Sequence, residues 1–437
     1  MRGSGFWRYE NRLIAVLTVM FGFVFFDRNA MTNLSTFVAP DLHLNYTQIA
    51  LLASGLSFTW AISGVVVGAL TDSFGHRKTL LLIAVVIFSA CSVISGLAPS
   101  FGVLLASRML MGLAEGPIMP ISQALVALES PDTRRGLNMG VMQNLGSNFI
   151  GSFLAPLVLV PIAQVLNWRC AFFVAAVPGL ICAVLIWKWV HEPQTHEVSQ
   201  AASAKPVSGL AQSSPADTPE AVRASMGRRI VELFRYRNMW LCIVISCFMV
   251  PWMIVGWAFL PSVYVNFRHF SPSDMKWLMS VLGISAAVFA FIVPGLSDRF
   301  GRKPVMIVFT LIGVLYPFAA LYFSGSLLVL ALLIFVGWSA SGVFPLFMAT
   351  IPSESIPARY LGTSLGLVMG IGEFLGGSSV PTLAGRAADH FGLPAPMYIA
   401  AACAVIAAVL TLFLRETAPV KVGAQSLAPR EGVPARG

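Results

Sequence analysis

Asp27, Arg28, Arg108 and Glu115 sit inside apolar stretches long enough to cross a membrane. An ionisable side chain at membrane depth costs on the order of 2.5–3.5 kcal/mol on insertion scales, so it is kept where it lines a wet path and has a partner. Two acids beside two arginines suit proton-and-anion chemistry. A carboxylate can take up a proton, and the planar fork of a guanidinium can hold a second carboxylate through paired hydrogen bonds. Arg108 and Glu115 are seven residues apart and share a helical face, about 10 Å apart along the axis. Asp27 and Arg28 are adjacent and point about 100° apart, so one can face a cavity while the other meets helix four or five. Gly112 and Gly116 near the Arg108–Glu115 face permit close helix approach or leave cavity room.

Further residues could complete such a site. Glu373 is a lone acid among glycines with no basic partner in its own span; it suits a third protonatable group, a hydroxyl acceptor or a structural hydrogen-bonder. Gln143 and Asn144, with Asn148, fit a hydroxyl-rich ligand and fit inter-helix hydrogen bonding equally well. Trp252, Trp257 and Tyr264 could stack on a ring. Tyr264 reads as an interfacial anchor or outer gate, which leaves Trp257 as the cavity candidate. The histidines lie at span edges or in loops, and no histidine proton relay is expected.

The elements that must position these residues are membrane helices. Of 437 residues, 57% are hydrophobic and 11% charged, with mean hydropathy +0.79; a soluble domain carries roughly 25% charged residues. Twelve candidate spans cover 12–38, 46–71, 78–97, 101–128, 136–160, 168–190, 237–265, 274–297, 304–323, 326–352, 359–385 and 393–414. The runs are long and continuous, which selects an all-α membrane protein over a barrel. They divide into a six-helix bundle over 1–191, a Pro/Ser/Ala-rich cytoplasmic connector over 192–235, a second six-helix bundle over 236–415 and a disordered cytoplasmic tail over 416–437. The six cysteines lie in apolar segments without metal-type spacing, as small packing residues do.

Basic residues occupy every second connection, from Arg77-Lys78 and Arg134-Arg135 to Arg299–Lys303 and Arg359. The positive-inside rule therefore places both termini and the connector in the cytoplasm. The net charge of +9 reads as this loop asymmetry, with no nucleic acid implied. Thr71–Lys78 after span two is echoed by Ser297–Lys303 after span eight, an internal repeat of the kind found in carriers whose halves rock around a central site. Asp72, Arg77, Asp298 and Arg302 in these loops suit an ion-pair latch on the inner gate.

These motifs carry a resemblance. Gly68-x-x-x-Asp72-x-x-Gly75-x-Arg77-Lys78 resembles the loop signature of the major facilitator superfamily, and Arg108-x-x-x-Gly112-x-x-x-Gly116 resembles its fourth-helix motif. Phe26-Asp27-Arg28, Arg108 to Pro120 with Glu115, Trp257-x-x-Leu260-Pro261-x-x-Tyr264 and Gly370–Gly377 are similar to the anion:cation symporter branch, which includes bacterial sugar-acid carriers of the D-galactonate type. The resemblance implies twelve helices around a central cavity, proton coupling through the acids matching Asp27 and Glu115, and substrate binding through the arginines matching Arg28 and Arg108.

The reading is a monomeric, multi-pass inner-membrane symporter, not an enzyme. It imports a sugar acid or aromatic carboxylate by alternating access, with the proton as coupling ion and no cofactor. The rival is a proton-driven exporter of the same fold. Exporters of that group carry a Gly-Pro motif in helix five, and Gly146–Pro156 does not match it.

Overall fold

A bilayer offers no partner to an unpaired peptide group, so apolar runs fold as helices that satisfy their own backbone. The computed structural model describes residues 9–74, 77–130, 138, 140–192, 233–356, 361–418 and 421. Among them every regular element is helical. Eleven helices, of 19 to 33 residues, are long and apolar enough to span a membrane, and a further helix of 29 residues fills the second of the twelve expected places. In order they are α1 (Tyr9–Asp41), α2 (Tyr46–Phe74), α3 (Arg77–Leu97), α4 (Phe101–Gln123), α5 (Val141–Val165) and α6 (Trp168–Trp189) in the first half. The second half holds α7 (Arg237–Phe267), α8 (Pro272–Phe300), α9 (Arg302–Tyr322), α10 (Leu327–Ser355), α11 (Ser364–Phe391) and α12 (Pro394–Leu412). Gly75 of the loop signature, Arg134-Arg135, most of the connector, Arg359 and most of the tail lie outside the described residues, as does the side chain of Asp72.

Helix starts follow local chemistry. The Asn167 side chain caps α6 by accepting from Cys170 N at 2.7 Å. Ser271, with Pro272 at the first helical position, caps α8 through Asp274 N at 3.1 Å. Between α8 and α9 the chain turns at Gly301, whose φ of +107° favours glycine.

The internal repeat extends to packing. In the first half α1 packs on α5, α2 on α4 and α3 on α6; in the second α7 packs on α11, α8 on α10 and α9 on α12. Glycines let the paired backbones approach. A methyl added at Gly146 would come within 2.5 Å of Thr18 O, and one at Gly376 within 3.1 Å of Cys247 O. The closest approach to a partner's backbone is at Gly112, where an added Cβ would lie 2.3 Å from both Leu56 O and Thr59 Oγ1. Gly112→Ala is therefore expected to push α4 off α2 and cost about 1–3 kcal/mol, as overpacking does. Thermal unfolding of the purified protein checks this; an unchanged midpoint would mean that the pair yields without strain.

The repeat also appears as two carboxylate caps. Glu192, just after α6, accepts from Lys78 N at 3.2 and 3.1 Å. Glu416, just after α12, accepts from Arg302 N at 2.8 Å and Lys303 N at 3.2 Å. Each sits at the N-terminus of the third helix of its half, where free N–H groups and the helix dipole favour an anion. The first residue of the connector and the first residue of the tail therefore each complete a helix start of the adjoining bundle.

The halves meet along α2–α11, α5–α8 and α1–α7. At the end away from the Arg77 and Arg302 loops, Asp389 in the last turn of α11 accepts from Tyr46 N at 2.8 Å, Thr47 N at 3.0 Å and Thr47 Oγ1 at 2.5 Å. It caps α2 of the other half. Thr382 Oγ1 donates to Ser54 Oγ at 3.0 Å along the same seam. Loss of such a cap costs about 0.5–2 kcal/mol. Asp389→Ala is expected to open this end, read as faster hydrogen exchange at the Tyr46 and Thr47 amides. Unchanged exchange would show that the carboxylate does not hold the seam.

Candidate functional site

Asp27 sits mid-way along α1 with no exposure, so it is not a helix cap. Its Oδ1 accepts a hydrogen bond from Ser92 Oγ on α3, while Oδ2 has no partner among the described residues. Arg108 on α4 is 1% exposed. Its Nη2 donates to Ser95 Oγ at 2.6 Å, and Ser95 is bridged to Ser107 at 2.9 Å. The guanidinium carbon lies 5.4 Å from the Phe172 ring centroid of α6. Arg108 Nε and Nη1 make no hydrogen bond among the described residues, and Asp27 is the foremost opposing charge that acts on it. A buried charge without a counter-charge would cost far more than a pair. Asp27 and Arg108 thus lie within each other's field inside the first bundle, each hydrogen-bonded to a serine of α3.

Arg28 points elsewhere. Its Nη2 donates to Ser57 Oγ on α2 at 3.4 Å, and its guanidinium carbon lies 5.5 Å from the Trp60 ring and 5.7 Å from the Phe25 ring. It is half-buried, unlike Arg108. Glu115 is 2% exposed, and neither carboxyl oxygen finds a hydrogen-bond donor among the described residues. The foremost charge acting on Glu115 is Arg28, ahead of Asp27 and Arg108. Arg28 also acts on Glu373 of α11, in the other half. The Arg28 charge therefore reaches an acid of each bundle, and the cation that acts on Glu373 comes from α1, not from its own span.

The α11 backbone fits this placement. Gly372–Gly377 forms wide, π-type turns, as do Val141–Leu154 in α5, Leu346–Thr350 in α10 and Val263–Phe267 in α7. Such turns recur at functional positions because they re-aim side chains. Gly372 packs against Ser246 and Gly376 against Pro251 of α7. Phe374 meets Phe58 of α2 with ring centroids 5.7 Å apart. Glu373 Oε2 lies over Gly377 of its own helix, a position that Ile254 and Val250 of α7 also approach.

The remaining candidates separate. Gln143, Asn144 and Asn148 are half-buried on the wide turns of α5, and no hydrogen bond joins them to the charged cluster among the described residues. Trp257 is half-buried and packs edge-on to Trp338 at 5.5 Å. Trp252 is a core residue: it is unexposed, stacks on Trp338 at 4.9 Å and donates from Nε1 to Gly313 O at 3.0 Å. Tyr264 is also unexposed, which rules out the interfacial-anchor reading; it lies 6.2 Å from Phe270.

Arg302 forms ion pairs with Asp298 and with Glu354, the latter at 2.8 Å. All three belong to the second half, so this cluster ties α8, α9 and α10 together and does not bridge the halves. Arg77 is buried at 7% and is engaged in an interaction.

Sequence reasoning missed Ser92, Ser95, Ser57 and Trp60. Ser89-x-x-Ser92-x-x-Ser95 repeats every three residues on an apolar helix, which puts the hydroxyls near one face. That stripe was the available signal for a polar partner to Asp27 and Arg108.

A model of the Major Facilitator Superfamily matches residues 16–271 and 241–436. The chain belongs to that superfamily. It is 28% identical over 292 residues to the hexuronate transporter of Bacillus subtilis, a match covering 64% of this chain and 64% of that relative, just under two thirds of its length. Over 427 residues it is 22% identical to the sialic acid transporter NanX of Escherichia coli, covering 95% of this chain and 96% of the other. Further relatives are named for sulfoacetate, 4-methylmuconolactone and gentisate. Several of the relatives that this superfamily member matches are thus named for organic acids. The structure of a bacterial homolog to the human lysosomal transporter Spinster, inward-facing and unoccupied, aligns with a TM-score of 0.74 at 17% identity, covering 94% of this chain and 97% of that one. The fold is the superfamily's, and the chain is a multi-pass membrane transporter.

Proposed function

We propose that this chain is a proton-coupled symporter that imports a small hydroxylated or aromatic monocarboxylate across an inner membrane, with both termini in the cytoplasm. The observation that supports the reading is Arg28 itself, half-buried beside Ser57, Trp60 and Phe25 with its charge reaching Glu115 of the first half and Glu373 of the second. A guanidinium placed there can exchange an internal acid for a substrate carboxylate. Trp60 and Phe25 flank it and offer apolar faces to a ring or carbon chain. Asp27 and Glu115 take the protons. Arg108 is sequestered with Asp27 and the α3 serines, so it serves as that acid's counter-ion, and Arg28 serves as the anion's ligand.

Coupling follows from shared charge. A carboxylate on Arg28 weakens the hold of Arg28 on Glu115, and a proton on Glu115 frees Arg28 for a carboxylate. Each ligand therefore favours the other by the same factor. Turnover moves the α2–α11 and α5–α8 seams, with Asp389 releasing α2 when the outer end opens. The test is uptake into proteoliposomes with an imposed inward proton gradient, screening labelled sugar acids and aromatic carboxylates. Concentrative uptake of one of them is expected. No accumulation of any acid, with expulsion of cationic drugs instead, would favour the exporter.

A further inference from the structure

Glu373 is an acid where an anion carrier would be expected to avoid one. Its Oε2 is shielded from solvent and finds no hydrogen-bond donor among the described residues. One side of α11 at this level is filled by α7, through Gly372 on Ser246 and Gly376 on Pro251; another is filled by α2, through Phe374 on Phe58. The arc between them carries Gly366, Gly370 and Glu373, spaced four and three residues apart, which keeps them near one helical face. A Cβ added at Gly366 or Gly370 would meet nothing within 4 Å. Glu373 therefore follows this open strip along α11, its Oε2 lying over Gly377 of its own helix on the side of Ile254 and Val250 of α7, with the Arg28 charge acting on it from α1.

We propose that Glu373 is the residue that sets substrate charge: it admits monoanions that carry a hydrogen-bond donor away from their carboxylate, and it rejects dianions. This rests on Arg28 as the carboxylate site. A ligand held by Arg28 at one end directs its far end at Glu373. A hydroxyl or ammonium there satisfies the unpartnered Oε2. A second carboxylate there brings two like charges together in a site shielded from water, where repulsion is strong. Selectivity of this kind comes from the repulsive element as much as from the attractive one.

The experiment is equilibrium binding to the purified full-length protein with two matched pairs: gluconate against glucarate, and 3-hydroxybenzoate against isophthalate. Within each pair a donor group is exchanged for a second carboxylate. Wild type is expected to favour the monoanion of at least one pair by about 30-fold, and Glu373→Gln to close that gap mainly by gaining the dianion. The unliganded melting temperature of the isosteric variant reports that it is folded, and Glu373→Asp, which keeps the charge, is expected to keep the preference. Wild type that binds neither member of either pair overturns the anion-site reading and this inference with it. Wild type that binds a monoanion, with a preference that Glu373→Gln leaves unchanged, overturns the role of Glu373 alone. So does wild type that prefers the dianions.

Discussion

Exchanging Arg28 for lysine is expected to weaken substrate binding by about 10- to 150-fold, the equivalent of one charge-assisted hydrogen bond worth roughly 1.5–3 kcal/mol. Lysine is the informative replacement because it keeps the positive charge that faces Glu115 and Glu373. The acids retain a cation, so folding and proton uptake should survive. What is lost is the planar fork, which a lysine ammonium cannot reproduce. The measurement is KM for uptake alongside calorimetric affinity. A rise in both at unchanged maximal rate supports a ligand role, whereas unchanged affinity would remove Arg28 from the anion site. The matching change Arg108→Lys should act differently. Arg108 is closed in by Ser95 and Phe172, so its loss should appear first as reduced stability and as an effect on Asp27.

Glu115→Gln is expected to leave substrate binding largely intact and to abolish gradient-driven accumulation, or to reduce it by about tenfold per pH unit of gradient for each proton lost. One pH unit is worth 1.36 kcal/mol per proton carried, or a factor of ten in the concentration ratio. A carrier that moves one proton fewer therefore reaches a ratio lower by that factor at each unit. Glutamine keeps the shape of the buried carboxyl and supplies the neutral state permanently. Steady-state accumulation in proteoliposomes, with counterflow exchange as the control for a folded and binding-competent carrier, separates the cases. If exchange persists while accumulation falls, Glu115 carries a coupling proton; unchanged accumulation would assign the proton elsewhere.

The sequence made the helices legible because the bilayer imposes the strictest rule on them: long apolar runs, with charges confined to the connections. The expected spans match the helices closely, from 168–190 against Trp168–Trp189 to 237–265 against Arg237–Phe267. The buried charges were legible for the same reason, since Asp27 or Glu115 has no business in lipid unless it functions there. Their partners were not. Adjacent residues on a helix face different neighbours, and only the three-dimensional packing sends Asp27 toward α3 and Arg28 toward α2. The Arg28–Glu373 relation spans 345 positions in the chain, and no local pattern encodes it. The aromatic residues show the opposite limit. Trp252, Trp257 and Tyr264 share one helix and one composition, yet Trp252 and Tyr264 are wholly buried and only Trp257 keeps part of its surface open. Periodicity alone could not rank them, because a span apolar all round marks no cavity face. The capping roles of Glu192 and Glu416 were not legible, because a charged residue beside proline or threonine looks like linker, whereas each completes a helix start in three dimensions.

The Glu416 contact has a practical bearing on handling the protein. The last anchored stretch runs past α12 through Ala418, whose own amide returns to Glu416 Oε1 at 2.9 Å, while Thr417 Oγ1 reaches Glu354 at 2.6 Å. Affinity handles, fluorescent fusions and engineered cleavage sites belong downstream of that knot. A trimmed form ending at Arg415 would strip the α9 start of its acceptor and the Arg302 cluster of a neighbour at once, so a shortened purification variant would lose rigidity where α8, α9 and α10 meet.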